Sequence, residues 1–392
     1  SYLTKCTCSG NTIKSPGQFG IFIRYCKTAV VEGNTVNNPK DKAICLKFCT
    51  SCTVKTNVIK NPAVAGIWVE GGETAYMTQC VVEGNTVESS SQYGIFVRYY
   101  KTAVAEENTV NNSKDRAICL KYCTSCTVKT NVIKNPATAG IWIEGGETSY
   151  TTKCVVEGNS VESSTQYGIY LKYCKNGTVE GNTVKTSTDY GIFVRDSSSC
   201  TVKRNQISDS GKKDIIIHST CTNCTSQEWH TGWVQEGGKW YYYDSESYMQ
   251  YGWKKLSGKW YYFDKTDGSM ASGWKKISGK WYLFSSGGVM KTGWQESGGK
   301  WYYFLSDGSM KTGWIKLDGK WYHFDGGGAM QTSWQKLNNN WYCFGSNGAM
   351  KTGWYKTGGK WYYFNADGIM QTGKVTIDGK VYKFDSNGVL IS

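Results

Sequence analysis

NTVNNPKDKAICLK, residues 34–47, decides the reading of the first half of this chain. An asparagine followed by a short apolar stretch is joined, nine residues on, by a second alternating stretch, and the pair recurs. The asparagine returns at Asn11, Asn34, Asn57, Asn85, Asn108, Asn131, Asn159, Asn182 and Asn205, with spacings of 23, 23, 28, 23, 23, 28, 23 and 23. The second signature reads GIFIR at 20–24, then AICLK, GIWVE, GIFVR, AICLK, GIWIE, GIYLK and GIFVR, ending with DIIIH at 214–218. A fixed period settles architecture before local propensity does. The alternation predicts short strands whose residues two apart share a face, so Ile21 and Ile23 should point inward. Asparagines at one phase can hydrogen-bond from coil to coil where the backbone turns.

The second half repeats every 20 or 21 residues in units such as GWKKLSGKWYYFDKTDGSM, residues 252–270. Trp233, Trp253, Trp274, Trp294, Trp314, Trp334 and Trp354 are each followed seven residues later by Trp240, Trp260, Trp281, Trp301, Trp321, Trp341 and Trp361. Ser-Gly, Asp-Gly or Gly-Gly between two alternating stretches predicts a two-residue hairpin turn. Centred on Ser257-Gly258, that turn pairs Lys255 with Trp260 and Trp253 with Tyr262, placing both Trp on one hairpin face. An isolated hairpin is marginal in water, so the units must stack. The expected fold is all-β, a parallel β-helix of about nine coils over 1–224 followed by stacked hairpins over 225–392.

Composition agrees, with 4 prolines against 46 glycines, 28 tyrosines and 17 tryptophans in 392 residues. No apolar run approaches the roughly 18 residues needed to span a bilayer, and the first residues lack the apolar segment of a signal peptide. The formal charge of +14 is spread through both halves without a dense basic run. That argues for a diffuse polyanionic partner such as an anionic cell-surface polymer, and against a nucleic-acid groove.

The N-terminal coils, with their corner Asn and scarce proline, resemble the right-handed parallel β-helix of pectate-lyase-like proteins. The C-terminal units closely resemble the choline-binding, or cell-wall-binding, repeats of Gram-positive surface proteins and phage lysins. That second resemblance implies choline or phosphocholine of teichoic acid as ligand, held between consecutive hairpins by aromatics with a Met nearby. Carried over, the cages are Trp233 and Trp240 with Tyr261, Trp253 and Trp260 with Tyr282, and Trp274 and Trp281 with Tyr302. Three more are Trp294 and Trp301 with Tyr322, Trp314 and Trp321 with Tyr342, and Trp334 and Trp341 with Tyr362. Met270, Met290 and Met310 stand beside them. A quaternary ammonium donates no hydrogen bond and is recognised by ring faces, at about 0.5–2 kcal/mol per ring. Tyr261, Phe263 and Leu256 are assigned mainly to packing, and the competing reading of all these rings is an inter-hairpin core. Related toxin and glucan-binding repeats hold carbohydrate, but the toxin type usually lacks the second Trp. The last unit carries Lys374 and Val381 in place of both Trp and reads as a cap. Ser333, His323 and Cys343 depart from the pattern in single units. The resemblance implies a secreted, extracellular, wall-associated protein that presents the β-helix outward.

For the β-helix two roles stand open: a module that binds polysaccharide or host glycans, and a carbohydrate-active enzyme. The clustered aspartates or the base beside acids that catalysis in such folds needs are not seen, and no catalytic residue, metal ligand or cofactor is assigned. The middle residue of each second strand forms a column, Phe22, Cys45, Trp68, Phe96, Cys119, Trp142, Tyr170, Phe193 and Ile216. Beside it runs a charged column that includes Glu70 and Glu144. Trp68, Trp142, Phe96, Tyr170, Glu70 and Glu144 are the candidate glycan contacts, unless the inserts after GIWVE and GIWIE fold over them. Glu70 with Glu73 and Glu144 with Glu147 are the acidic pairs worth testing for catalysis. The cysteines share the coil phase, so Cys52 with Cys80, Cys126 with Cys154, or Cys26 with Cys49 come within disulfide range; stacked interior thiols are the other reading.

Overall fold

The computed structural model describes residues 3–392. They form an all-β molecule in two compact units, residues 3–231 with 245–248, and 232–244 with 249–392. Among the described residues no helix is long and apolar enough to cross a membrane.

The first unit is a parallel solenoid with three sheets of ten, nine and nine strands, each in coil order. One coil runs through Cys26–Glu32, Thr35–Asn37 and Ile44–Lys47. In-register parallel pairing stacks like residues, for example Ile95 on Ile67 and Ile118 on Ile95. Ile44, Leu46, Ile67, Val69, Ile95 and Val97 are fully buried, as the alternation requires.

Corners are made by single left-handed residues. Gly33 (φ 62), Asn38 (φ 50) and Phe48 (φ 53) turn one coil; the first two phases turn the following coils as well, whereas at the third Gly71 and Gly145 are not left-handed. Glycine and asparagine adopt that region readily. The aromatics Tyr25, Phe48, Tyr99, Tyr122 and Tyr173 do not, yet all have φ between 51 and 63. They are held by ring stacking, Tyr25 on Phe48 and Tyr99 on Tyr122, both at 5.4 Å. Where the column has Gly71 or Gly145, the insert supplies the ring: Tyr76 lies 5.9 Å from Tyr99 and Tyr150 5.8 Å from Tyr173. Each insert therefore brings a ring against the corner tyrosine of the following coil.

The asparagine ladder closes the interior. Asn108 Nδ2 donates to Val82 O, Glu106 O and Asn131 Oδ1, each at 2.9 Å. Its Oδ1 accepts from Asn85 N and Nδ2 at 3.0 Å. All sixteen cysteines are free thiols. Cys52 pairs in register with Cys80 and Cys126 with Cys154, while Cys154 Sγ and Cys174 Sγ approach to 3.4 Å. They act as small apolar fillers of a narrow core.

The second unit consists of eight two-stranded hairpins, from Gly232–Glu236 with Lys239–Tyr243 to Gly373–Ile377 with Lys380–Phe384. Lys255 faces Trp260 and Trp253 faces Tyr262, the register that the turn residues specify. Ser257 (φ 46) and Gly258 (φ 79) both take positive φ, as a type I′ turn demands. Hairpins are tied in series through the methionines: Met290 N donates to Trp260 O at 2.9 Å, Met310 N to Trp281 O at 2.8 Å and Met350 N to Trp321 O at 2.9 Å.

Asn108→Ala strands several buried backbone groups at about 1–3 kcal/mol each. Chemical denaturation followed by far-UV circular dichroism should show a loss of roughly 3 kcal/mol or more. The exposed Lys134→Ala should shift stability by less than about 1 kcal/mol. Equal effects would contradict the ladder's structural role.

Candidate functional site

In the hairpin unit, the same-face placement of the two Trp brings their rings together at nearly right angles. Centroids are 6.4 Å apart for Trp253 and Trp260, 6.3 Å for Trp274 and Trp281, and 6.2 Å for Trp354 and Trp361, with interplanar angles of 85°, 81° and 88°. A tyrosine of the next hairpin closes the third side, Tyr282 at 4.9 Å from Trp253 and Tyr302 at 4.8 Å from Trp274. Tyr261, Tyr322, Tyr342 and Tyr362 stand in the same way against Trp233, Trp294, Trp314 and Trp334, at 4.8–5.0 Å. Tyr261 is thus a wall of the first cage as well as packing. The second Trp of each pair is the open wall: Trp260, Trp281 and Trp321 are 41–42% exposed.

The Trp pair and the tyrosine of each expected cage come together, and in three cages the lining draws on three successive units. Trp314, Trp321, Tyr342, Met350 and Asp367 line a hollow of about 320 Å³, with Asp367 coming from the turn after the second hairpin along, Gly353–Thr357 with Lys360–Phe364. Trp334, Trp341, Tyr362, Met370, Ser386 and Asn387 line one of about 210 Å³. Trp274, Trp281, Tyr302, Met310 and Gly327 line another of about 320 Å³. Ring faces, a polarisable thioether and, in one cage, a carboxylate suit a soft cation that cannot donate hydrogen bonds.

Sequence reasoning missed a seventh cage, which follows from geometry. The last hairpin lacks both Trp but keeps Tyr382, 4.8 Å from Trp354, and Leu390 N donates to Trp361 O at 2.9 Å where other units use Met. Met330, Met350 and Met370 were also omitted, although their spacing is that of Met270, Met290 and Met310. His323 and Cys343 lie in the hairpins beside the Trp: His323 is 4.8 Å from Trp314 and its Nδ1 bonds Gln331 Oε1 at 2.7 Å, while Cys343 is buried.

Comparison with known families agrees with both halves. The right handed beta helix region matches residues 1–89 and 78–228. Choline-binding repeats match 230–272, 291–333 and 351–392, and cell wall binding repeats match 272–290 and 332–350. The chain belongs to the right-handed β-helix family and ends in choline-binding repeats. Among solved structures it is similar to choline binding protein F of Streptococcus pneumoniae, crystallised with a peptidoglycan analogue, at 39% identity over 42% of this chain and 58% of that one, with a TM-score of 0.40. CbpJ of the same species is 37% identical over 41% and 58%, with a TM-score of 0.39. The cell wall endolysin of phage Cp-1, complexed with choline, is 38% identical over 30% and 36%, with a TM-score of 0.24. The matched part thus spans about 58% of the length of the two pneumococcal proteins. Curated proteins gave no match.

The candidate glycan face of the β-helix differs from expectation. Phe96 and Tyr170 are only 4% and 5% exposed. Phe96 stacks on Trp68 at 4.1 Å and Tyr170 on Trp142 at 3.8 Å, and the Arg116 guanidinium lies 4.1 Å from the Trp142 ring centre. Lys42 Nζ lies 5.0 Å from the Trp68 ring. The faces that a sugar would stack on are already occupied. Trp68 Nε1 donates to Glu70 Oε2 at 3.1 Å, and Glu70 also pairs with Arg98 and, at 3.2 Å, Lys47. Trp142 Nε1 donates to Glu144 Oε2 at 3.0 Å, and Glu144 pairs with Lys121 at 2.7 Å and Lys172 at 4.0 Å.

Burial pushes both carboxyls up, but hydrogen bonds and charges outweigh it and hold them below the ordinary value: Arg98, Trp68 and Lys47 for Glu70, and Lys121, Trp142 and Lys172 for Glu144. A carboxyl so held is a poor proton donor, which weighs against the catalytic reading of these residues. Because folding depresses these pKa values, the stability they contribute is present above the ordinary carboxylate value and lost as pH falls through the lowered one. A Glu70→Gln, Glu144→Gln double variant should be less stable at pH 7 by about 1 kcal/mol per site. The gap should close in strong acid, as read by urea midpoints across pH. A gap independent of pH would refute the ionic account.

Proposed function

We propose that the chain is a secreted surface protein held noncovalently on choline-bearing teichoic acid of a Gram-positive wall by its hairpin array, with the β-helix as the presented part. The observation that carries this is the repetition of one aromatic cage seven times with closely matching geometry. Packing alone would bury the second Trp of each unit, whereas these rings keep about 41–44% of their surface in water. One cage binds weakly; seven on one array engaging a polymer that carries many cholines gain orders of magnitude in avidity. The carbohydrate reading of such repeats is less well served, since the walls are ring faces and thioethers with few hydrogen-bonding groups. A glycan or host-surface partner of the β-helix is to be sought along exposed corner tyrosines such as Tyr25 and Tyr150, not on the occupied rings of Trp68 and Trp142.

Calorimetric titration of the full chain with choline should give saturable binding with a stoichiometry approaching seven. Trp260→Ala should remove one site and leave the rest, because one ring contributes about 0.5–2 kcal/mol and a cage has only three. No response at tens of millimolar choline would overturn the assignment.

A further inference from the structure

A second hollow, of about 500 Å³, shares lining residues with the third cage. Trp281 and Met310 line both spaces, but the second adds Lys276, Lys280 and Lys311, beside the hydroxyl residues Ser309 and Thr312 and the apolar Leu305. Lys276 is the direct cross-strand partner of Trp281, so its position at the rim follows from the hairpin register. Lys280 reaches Asp307 Oδ2 at 3.4 Å, and that exposed pair leaves a surplus of two positive charges around the hollow.

Three ammonium groups crowded against a cage for a cation would repel the ligand unless an anion came with it. Resting on the choline reading above, we propose that this basin is a phosphate-ester subsite. The ring cage takes the quaternary ammonium and the three lysines take the phosphate covalently attached to it, with Trp281 between the two. The same three positions are lysine in the second unit, as Lys255, Lys259 and Lys291, and in the fifth, as Lys316, Lys320 and Lys351. The fourth unit has Glu296 and Gln331 at two of them, and in the seventh Lys356 Nζ stands 5.5 Å from the Trp361 ring centre with Ile391 at the third position. The array is therefore heterogeneous: three cages read phosphocholine as a pair of charges, and the others read choline alone.

The test uses the full chain labelled with 5-fluorotryptophan, with the Trp281 and Trp301 resonances assigned through Trp281→Phe and Trp301→Phe. Each is titrated at low salt with choline, phosphocholine, glycerophosphocholine and inorganic phosphate. At Trp281 the phosphocholine midpoint should lie about three- to tenfold below that for choline, as expected for solvent-exposed ion pairs, and the advantage should fade with added salt. At Trp301, beside Glu296, phosphocholine should show no advantage. Lys276→Gln with Lys311→Gln should abolish the preference at Trp281 and, with two repelling ammonium groups gone, should not raise its choline midpoint. An equal advantage for both esters assigns the basin to the phosphate group they share; a gain for phosphocholine alone assigns it to the dianion. Inorganic phosphate that perturbs Trp281 only while the lysines are present adds support. Equal choline and phosphocholine midpoints at Trp281, or the same preference at Trp301, would overturn the subsite. An absence of any choline response would instead overturn the cage reading beneath it.

Discussion

In both halves of the chain, one polar group per repeat reaches one repeat along. In the solenoid it is the asparagine amide, which donates to its own coil, to the preceding coil and to the next asparagine. In the hairpin array it is the Met N–H that donates to the carbonyl of the preceding second Trp. Repeat units of this size cannot bury enough surface alone, so their stability lies in the interface between neighbours. These hydrogen bonds fix the interface at one spacing, and side chains at equal phase are then obliged to stack.

Stacking at fixed phase explains features that local propensity would forbid. An aromatic residue in the left-handed region is strained by about 1–2 kcal/mol, yet such residues turn several coils, each with its ring against that of a neighbouring coil. Where the column is interrupted by Gly71 and Gly145, the chain spends five extra residues to return Tyr76 and Tyr150 to it. The same logic assembles the seam of Trp68, Phe96, Trp142 and Tyr170 with its ionised carboxylates, where each group is the partner of its neighbour.

Period, strand phase, hairpin register and the paired Trp were legible in the sequence because each is a matter of counting. The availability of ring faces was not. Phe96 and Tyr170 alternate outward as expected, but Trp68, Trp142 and Arg116 come from neighbouring coils, and only the stacking distance shows that they fill the space above them. The glycines after the hairpins illustrate a second limit. Gly308 takes φ +78, which a turn motif suggests, but a Cβ there would also lie 2.2 Å from Met290 Sδ, a contact between units that no single repeat reveals. The choice of walls in a cage, drawn from three successive units, is hidden for the same reason.

A cage that belongs to the junction between units also explains the degenerate end. A hairpin needs its own two Trp only to begin a cage toward the next hairpin; to finish the preceding one it needs a Tyr and an apolar residue whose N–H meets the Trp carbonyl. The hairpin Gly373–Ile377 with Lys380–Phe384 keeps Tyr382 and Leu390, which finish the preceding cage, and carries Lys374 and Val381 at the two positions that elsewhere begin one. The eight hairpins among the described residues consequently make seven cages.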